Sequence, residues 1–145
     1  MAAVGGASYG ESMPTPPTLD DVAALATALP EVTETVLMGD WQAWAVKGKT
    51  FAWERPFSKA DLKRYGDETP PSLPVLAVRT DGLVEKEAIL ADPPEGVFTI
   101  PHFNGYAAVL VELDRVGVDD LRELVVSGWF AMAPKKLADS YRAEA

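Results

Sequence analysis

Six basic residues crowd one stretch of the chain: Lys47, Lys49, Arg55, Lys59, Lys63 and Arg64, against only Glu54 and Asp61 in the same interval. Trp44, Phe51, Trp53 and Phe57 are interleaved with them. Cations set among aromatic rings are the chemistry of nucleic-acid binding, because the charges neutralise phosphates while the rings pack or stack. A hairpin with lysines at its tip can lie along a phosphate backbone as a wing. Nothing in the cluster offers bidentate reading of base edges. The binding expected of it is therefore weak, salt-sensitive and tolerant of sequence. The same residues also have an ordinary structural role, in which lysines keep a hairpin tip soluble and block edge pairing while tryptophans fill the core. The formal net charge of −9 works against nonspecific attraction of a polyanion by the molecule as a whole.

A second candidate centres on His102, the only histidine in the chain and of the type most used for general acid–base work. It lies in the turn His102-Phe-Asn-Gly105, where the Asn-Gly pair favours a chain reversal. His102, Asn104 and Trp129 form a candidate site for a protein or small-molecule ligand, between this turn and the helix that follows. The ordinary role is a ring that ties the turn to backbone. Spacing assigns His102 no partner acid or nucleophile, and no His-x-x-x-His pair is present for a metal.

Other chemistry is excluded more firmly. The chain has no cysteine, which removes disulfides, thiolate catalysis and thiolate metal sites. Gly48-Lys49-Thr50 ends like a phosphate-binding loop, but that loop needs a glycine where this chain has Ala43. The tripeptide also falls at a hairpin tip and not at a helix start. Asp20, Asp21, Asp119 and Asp120 sit in first turns of expected helices, where the helix dipole explains them. No catalytic residue, cofactor or metal is expected, and the chain is not expected to be an enzyme.

The elements that must position these residues are legible from period and punctuation. With 145 residues the chain has the length of one domain, and a domain of that size buries roughly 68–70% of its unfolded surface. Residues 1–17, rich in Gly, Ser, Pro and Ala, are expected to be a disordered tail, and 18–145 a single domain. Thr18 caps a predicted helix from Leu19 to Leu29. A strand from Thr33 to Met38 follows, then a hairpin of Trp41–Val46 and Thr50–Arg55 with Gly48 at positive φ in its turn. A short helix capped by Ser58 runs to Tyr65, and a proline-stiffened loop leads to a strand over Val75–Arg79. Next are a helix to Ala91 capped by Asp81, a strand over Val97–Ile100, and an apolar strand over Ala107–Leu113. Leu121, Leu124, Val125, Gly128, Trp129 and Met132 then make one stripe of a helix from Asp119 to Met132. A last helix starts at Pro134 and passes Tyr141. Consecutive short strands favour an α+β two-layer sandwich: an antiparallel sheet of about five to six strands with helices on one face, in the order α-β(3-4)-α-β(2)-α. No apolar run approaches a membrane span, and the first residues lack a basic leader, so a cytoplasmic protein is expected. An exposed strand edge leaves both monomer and homodimer open.

One stretch also carries a resemblance. Ile100-Pro-His-Phe-Asn-Gly-Tyr106 is followed by an apolar strand ending Glu112-Leu-Asp114. After it come a helix containing Ser127-Gly-Trp129 and then Ala133-Pro-Lys-Lys-Leu137. Together with Leu29-Pro-Glu-Val32 and Lys47-Gly-Lys-Thr-Phe-Ala52 upstream, this order resembles the MmcQ/YjbR family of small bacterial proteins. The likeness runs from about Leu19 to Tyr141. It implies a fold similar to frataxin-like and secretion-chaperone-like domains, and a DNA-binding role. Frataxin-like domains are associated with iron along acidic surfaces, and no dense carboxylate ridge is present here. The shared motifs are structural, so they specify the fold more closely than the function. Two functions are carried forward: a non-enzymatic module binding DNA through the basic hairpin, and a protein- or small-ligand-binding domain using the His102 turn and the Trp129 helix.

Overall fold

The computed structural model describes residues 15–37 and 39–144, so the expected tail over 1–17 lies almost wholly outside the described residues. Helix α1 (Leu19–Thr27) begins with a reciprocal cap. The Thr18 hydroxyl accepts from the Asp21 N–H, and the Asp21 carboxylate accepts from the Thr18 N–H. The helix stops short of Leu29, which is nonetheless buried. Strands β1 (Val32–Leu37), β2 (Trp41–Val46) and β3 (Lys49–Glu54) form a meander. The turn between β2 and β3 places both Lys47 and Gly48 at positive φ, 50° and 81°. That geometry matches the twist of the flanking strands.

Helix α2 (Lys59–Tyr65) repeats the reciprocal cap with Ser58 and Asp61. Strand β4 (Val75–Arg79), helix α3 (Gly82–Ala91) and the short strand β5 (Val97–Phe98) follow. Asp81 makes no side-chain cap at α3; its own N–H donates to the Glu85 carboxylate instead. A 3₁₀ turn over Pro101–Phe103 leads into strand β6 (Ala108–Glu112). Helices α4 (Val118–Met132) and α5 (Lys135–Glu144) complete the described chain.

The fold class is the expected one. A single antiparallel sheet of six strands runs in the order β1-β2-β3-β4-β6-β5. Side chains alternate across it, except at a bulge opposite Trp44 and Ala45, where the unpaired Phe51 turns to the same side as Ala52. Trp44, Phe51, Leu76, Val78, Val109 and Val111 face a helix layer of α1, α4 and α5 and are fully buried there. Gly128 allows the close fit of α4. A Cβ on it would stand 2.8 Å from Val78 Cγ1 and 3.2 Å from the carbonyl oxygens of Phe51 and Arg79, so a larger residue would push the helix off the sheet. The Trp129 indole donates to the Pro30 carbonyl at 3.0 Å, which fixes α4 against the end of α1.

The opposite face is covered differently. Val75, Ala77, Ala108 and Leu110 meet Ile100 and Phe103 from the 3₁₀ turn, with Trp53, Phe57, Tyr65 and Phe98 packed around them. Tyr65 is the contribution of α2. This cover is partial, and the candidate site lies at its margin.

Candidate nucleic-acid interface

Trp53 pairs across the sheet with Ala43 on β2 and Ala77 on β4, and directly paired residues share a face. Trp53 therefore stands on the face away from the helices. Along β4 the period of two puts Val75, Ala77 and Arg79 on that same face. The Pro101–Tyr106 turn folds over it and supplies two more rings. Phe103 stacks with Trp53 at a centroid distance of 6.4 Å and an interplanar angle of 27°. Tyr106, 40% exposed, meets Phe103 edge-on at 5.5 Å and Trp53 edge-on at 6.3 Å. The Arg79 guanidinium lies 4.8 Å from the centre of the Tyr106 ring and donates to its hydroxyl at 2.9 Å. That of Arg55 lies 5.6 Å from the centre of Phe103.

Trp53 and Tyr106 form a wall shared by two adjoining grooves. One, of about 490 Å³, adds Lys49, Thr50 and Arg79 together with Leu37 and, from the end of α4, Met132, so it reaches past the sheet to the helix layer; the other, of about 320 Å³, adds Arg55, His102 and Phe103. Among the described residues no carboxylate lines either groove. The grooves beside α1 and the start of α4 are mainly acidic: Asp20 and Asp114 line one, and Glu95, Asp114, Asp119 and Asp120, with Arg115, are among the residues of the other.

Contacts made by Arg55 and Lys86 hold this face in shape. Arg55 pairs with Asp61 at 3.1 Å, with side-chain exposures of 11% and 1%, and also donates to the Pro56 carbonyl. Burial pushes the Asp61 carboxyl up, but hydrogen bonds with Ser58 and the Arg55 charge outweigh it and hold its pKa below the ordinary value. Arg55 is thus anchored from behind by an ionised partner. Arg79 has no carboxylate partner among the described residues, and its Nε is buried without an acceptor. Lys86, on α3, is buried and donates to the carbonyls of Phe103 at 2.6 Å and Tyr106 at 2.7 Å. Desolvation lowers its pKa. Its ammonium clamps the turn that carries both aromatic rings.

The six basic residues of the sequence cluster separate in space. Lys49 and Arg55 line one groove each, at the two ends of β3 and about 20 Å apart along an extended strand. Lys49 pairs with Val46 of the helix-side core and so meets its groove from the strand end, not from the face that carries Trp53. Lys47 sits at the hairpin tip, 3.5 Å from Glu31. Lys59 and Lys63 are exposed on α2, and Arg64 lies 3.6 Å from Asp61. Of the second candidate set, His102 and Asn104 are exposed in the turn, and the Asn104 N–H donates to the Pro101 carbonyl. Trp129 belongs elsewhere. It is fully buried in the helix layer, against Phe130 and Tyr141, so the sheet separates it from His102 and the three residues form no common site.

Arg79, Tyr106 and Lys86 complete the site and were not legible as parts of it. A signal existed for Arg79: the apolar row Val75, Ala77 ends in a cation at the same face. Among the described residues, no group of three or more acidic or histidine side chains is placed to hold a metal ion, and no helix is long and apolar enough to cross a membrane.

A YjbR family model matches residues 27–131, the span from the end of α1 nearly to the end of α4. An uncharacterized protein of Mycobacterium tuberculosis (strain H37Rv) is 43% identical over 129 residues, covering 87% of this chain and 96% of its own. An uncharacterized protein of Mycobacterium bovis matches equally. The crystal structure of a Deinococcus radiodurans protein with a DUF419 domain shares the fold, with a TM-score of 0.57 at 22% identity over 88% of this chain and 86% of that one. The family match covers every strand of the sheet and the whole aromatic face, and on that ground the chain belongs to the YjbR family.

Proposed function

We propose that the protein is a non-enzymatic DNA-binding module whose ligand lies across the open face of the sheet. The observation that carries this reading is the sign of the grooves. In a chain of net charge −9, the two grooves that share Trp53 and Tyr106 contain Lys49, Arg79, Arg55 and His102, and no carboxylate. Local charge decides binding here because the Debye length is about 8–10 Å at 0.1–0.15 M salt. Acidic residues of the helix layer, about 10 Å or more behind the sheet, are largely screened from a phosphate on the open face. Lys47 at the hairpin tip and Lys59 and Lys63 on α2 flank the path at its two ends. The smaller groove also has the size of a small-ligand pocket, which supports a planar anion as a second reading.

With about three phosphates neutralised, log K falls with log salt at a slope of about −2 to −3, and a rise from 50 to 200 mM weakens binding about 20- to 40-fold. Fluorescence anisotropy with end-labelled DNA at the two salt concentrations tests this. Lys49→Glu and Arg79→Glu are each expected to reduce binding at least tenfold and to flatten the slope, while Lys59→Glu has a smaller effect. Absence of binding at 50 mM salt, or indifference to both reversals at the grooves, contradicts the reading.

A further inference from the structure

We infer that the strand held on this face is unpaired, with a base stacked against Trp53 and the adjoining phosphate on Arg79 and Lys49. The inference rests on the reading above and names the form of its ligand. A duplex hides the faces of its bases in its own stack, so an aromatic ring on a protein surface engages only bases that are splayed out. Trp53 is half-buried by its own sheet and lines both grooves, and Tyr106 stands edge-on to it at 6.3 Å. Phe103 already stacks on Trp53 at 6.4 Å and Arg79 lies over Tyr106 at 4.8 Å, so the base is placed in the corner between the two edge-on rings, on the surface these neighbours leave. Arg79 stands beside that corner, bonded to the Tyr106 hydroxyl and paired with no carboxylate among the described residues. Lys49 and Thr50 continue the same groove. A ring corner with cations on one side is complementary to one nucleotide unit, base toward the rings and phosphate toward the cations.

Charge density points the same way. A duplex carries one negative charge per about 1.7 Å of axis and a single strand about half that density. An acidic protein with one short cationic face therefore repels an unpaired strand less. Lys86 keeps the corner in place by holding the carbonyls of Phe103 and Tyr106 from behind.

The test compares three ligands of equal length and label on the full chain at 50 mM salt. They are a thymidine strand, an abasic strand with the same phosphates, and a hairpin duplex. The thymidine strand is expected to bind at least tenfold tighter than either of the others. Removing a stacking ring costs about 5- to 150-fold per base. Trp53→Leu, which keeps apolar bulk, should therefore bring the thymidine strand down to the abasic strand and leave the abasic affinity unchanged. Arg79→Ala should weaken both. A Tyr106→Leu variant repeats the test on a more exposed ring. Equal binding of thymidine and abasic strands, with Arg79→Ala still weakening both, overturns the stacked base and leaves the DNA-binding reading standing. Tighter binding of the duplex likewise overturns the unpaired strand alone. No binding of any ligand overturns both.

Discussion

On β4, Leu76 and Val78 enter the helix layer while Val75 and Ala77 take the opposite face; all four are fully buried, but the second row ends at Arg79, which is only half-buried. The same strand thus serves two faces with different completeness. On the helix side the polar groups that go in are answered: the Trp44 indole donates to Glu34 at 2.9 Å and the Trp129 indole to the Pro30 carbonyl. On the open side Arg79 Nε has no acceptor, and the buried Lys86 ammonium is met by two carbonyls and no carboxylate. Uncompensated polar groups cost stability. Both groups are buried, so no partner reaches them directly; the open side differs from the helix side in carrying charged groups beneath its surface.

That contrast makes graded expectations. Trp129→Ala strikes the helix face and is expected to cost about 3–5 kcal/mol in denaturant melts; a loss below about 1 kcal/mol would place α4 off the sheet. Arg55→Met sits between the two regimes, because it strands the buried Asp61 carboxylate. Removing one partner of a buried pair costs about 3–5 kcal/mol, and Arg64 at 3.6 Å moves the expected loss to the lower end. Asp61 also sets a sign for pH. Its folded pKa is lowered, so its stabilisation is present above the ordinary carboxylate range and is lost as pH falls through the lowered value. Asp61→Asn should flatten the acid limb of the stability profile, and an unchanged limb would remove the carboxylate from the account. Arg79→Ala is the smallest: a loss of about 1 kcal/mol for the bond to the Tyr106 hydroxyl, since no ion pair is broken, together with a clear loss of DNA binding. A large loss of stability there would make the open face structural and erase the contrast.

The helix face was the part legible in the sequence. Leu121, Leu124, Val125, Gly128 and Trp129 repeat at helical spacing and are all buried, and Val75–Arg79 is bounded to the residue by its apolar run and the proline-stiffened loop before it. Thr18 and Ser58 cap their helices as their side-chain chemistry dictates, whereas Asp81 does not. Periodicity reports burial, and burial is what the helix face consists of. The open face depends on convergence. Arg79 and Tyr106 are 27 residues apart, and Lys86 reaches Phe103 and Tyr106 from a third element. No local pattern encodes such a meeting. The basic cluster shows the converse: residues close in sequence are drawn apart by an extended strand and by the pairings of Arg55 and Arg64 with Asp61. Trp129 carried the same ambiguity, since an aromatic residue on an apolar stripe reads alike as core or as ligand contact.

The central claim is that the open face of the sheet, and not the hairpin tip or α2, takes the ligand. Backbone and indole amide NMR during titration of the ¹⁵N-labelled chain with a thymidine oligonucleotide tests it directly. The account predicts the largest shifts at the Trp53 indole, at Arg79 and across His102–Tyr106, with the Trp129 indole unmoved. Shifts confined to Lys47–Gly48 and Lys59–Arg64, with the open face silent, would contradict it.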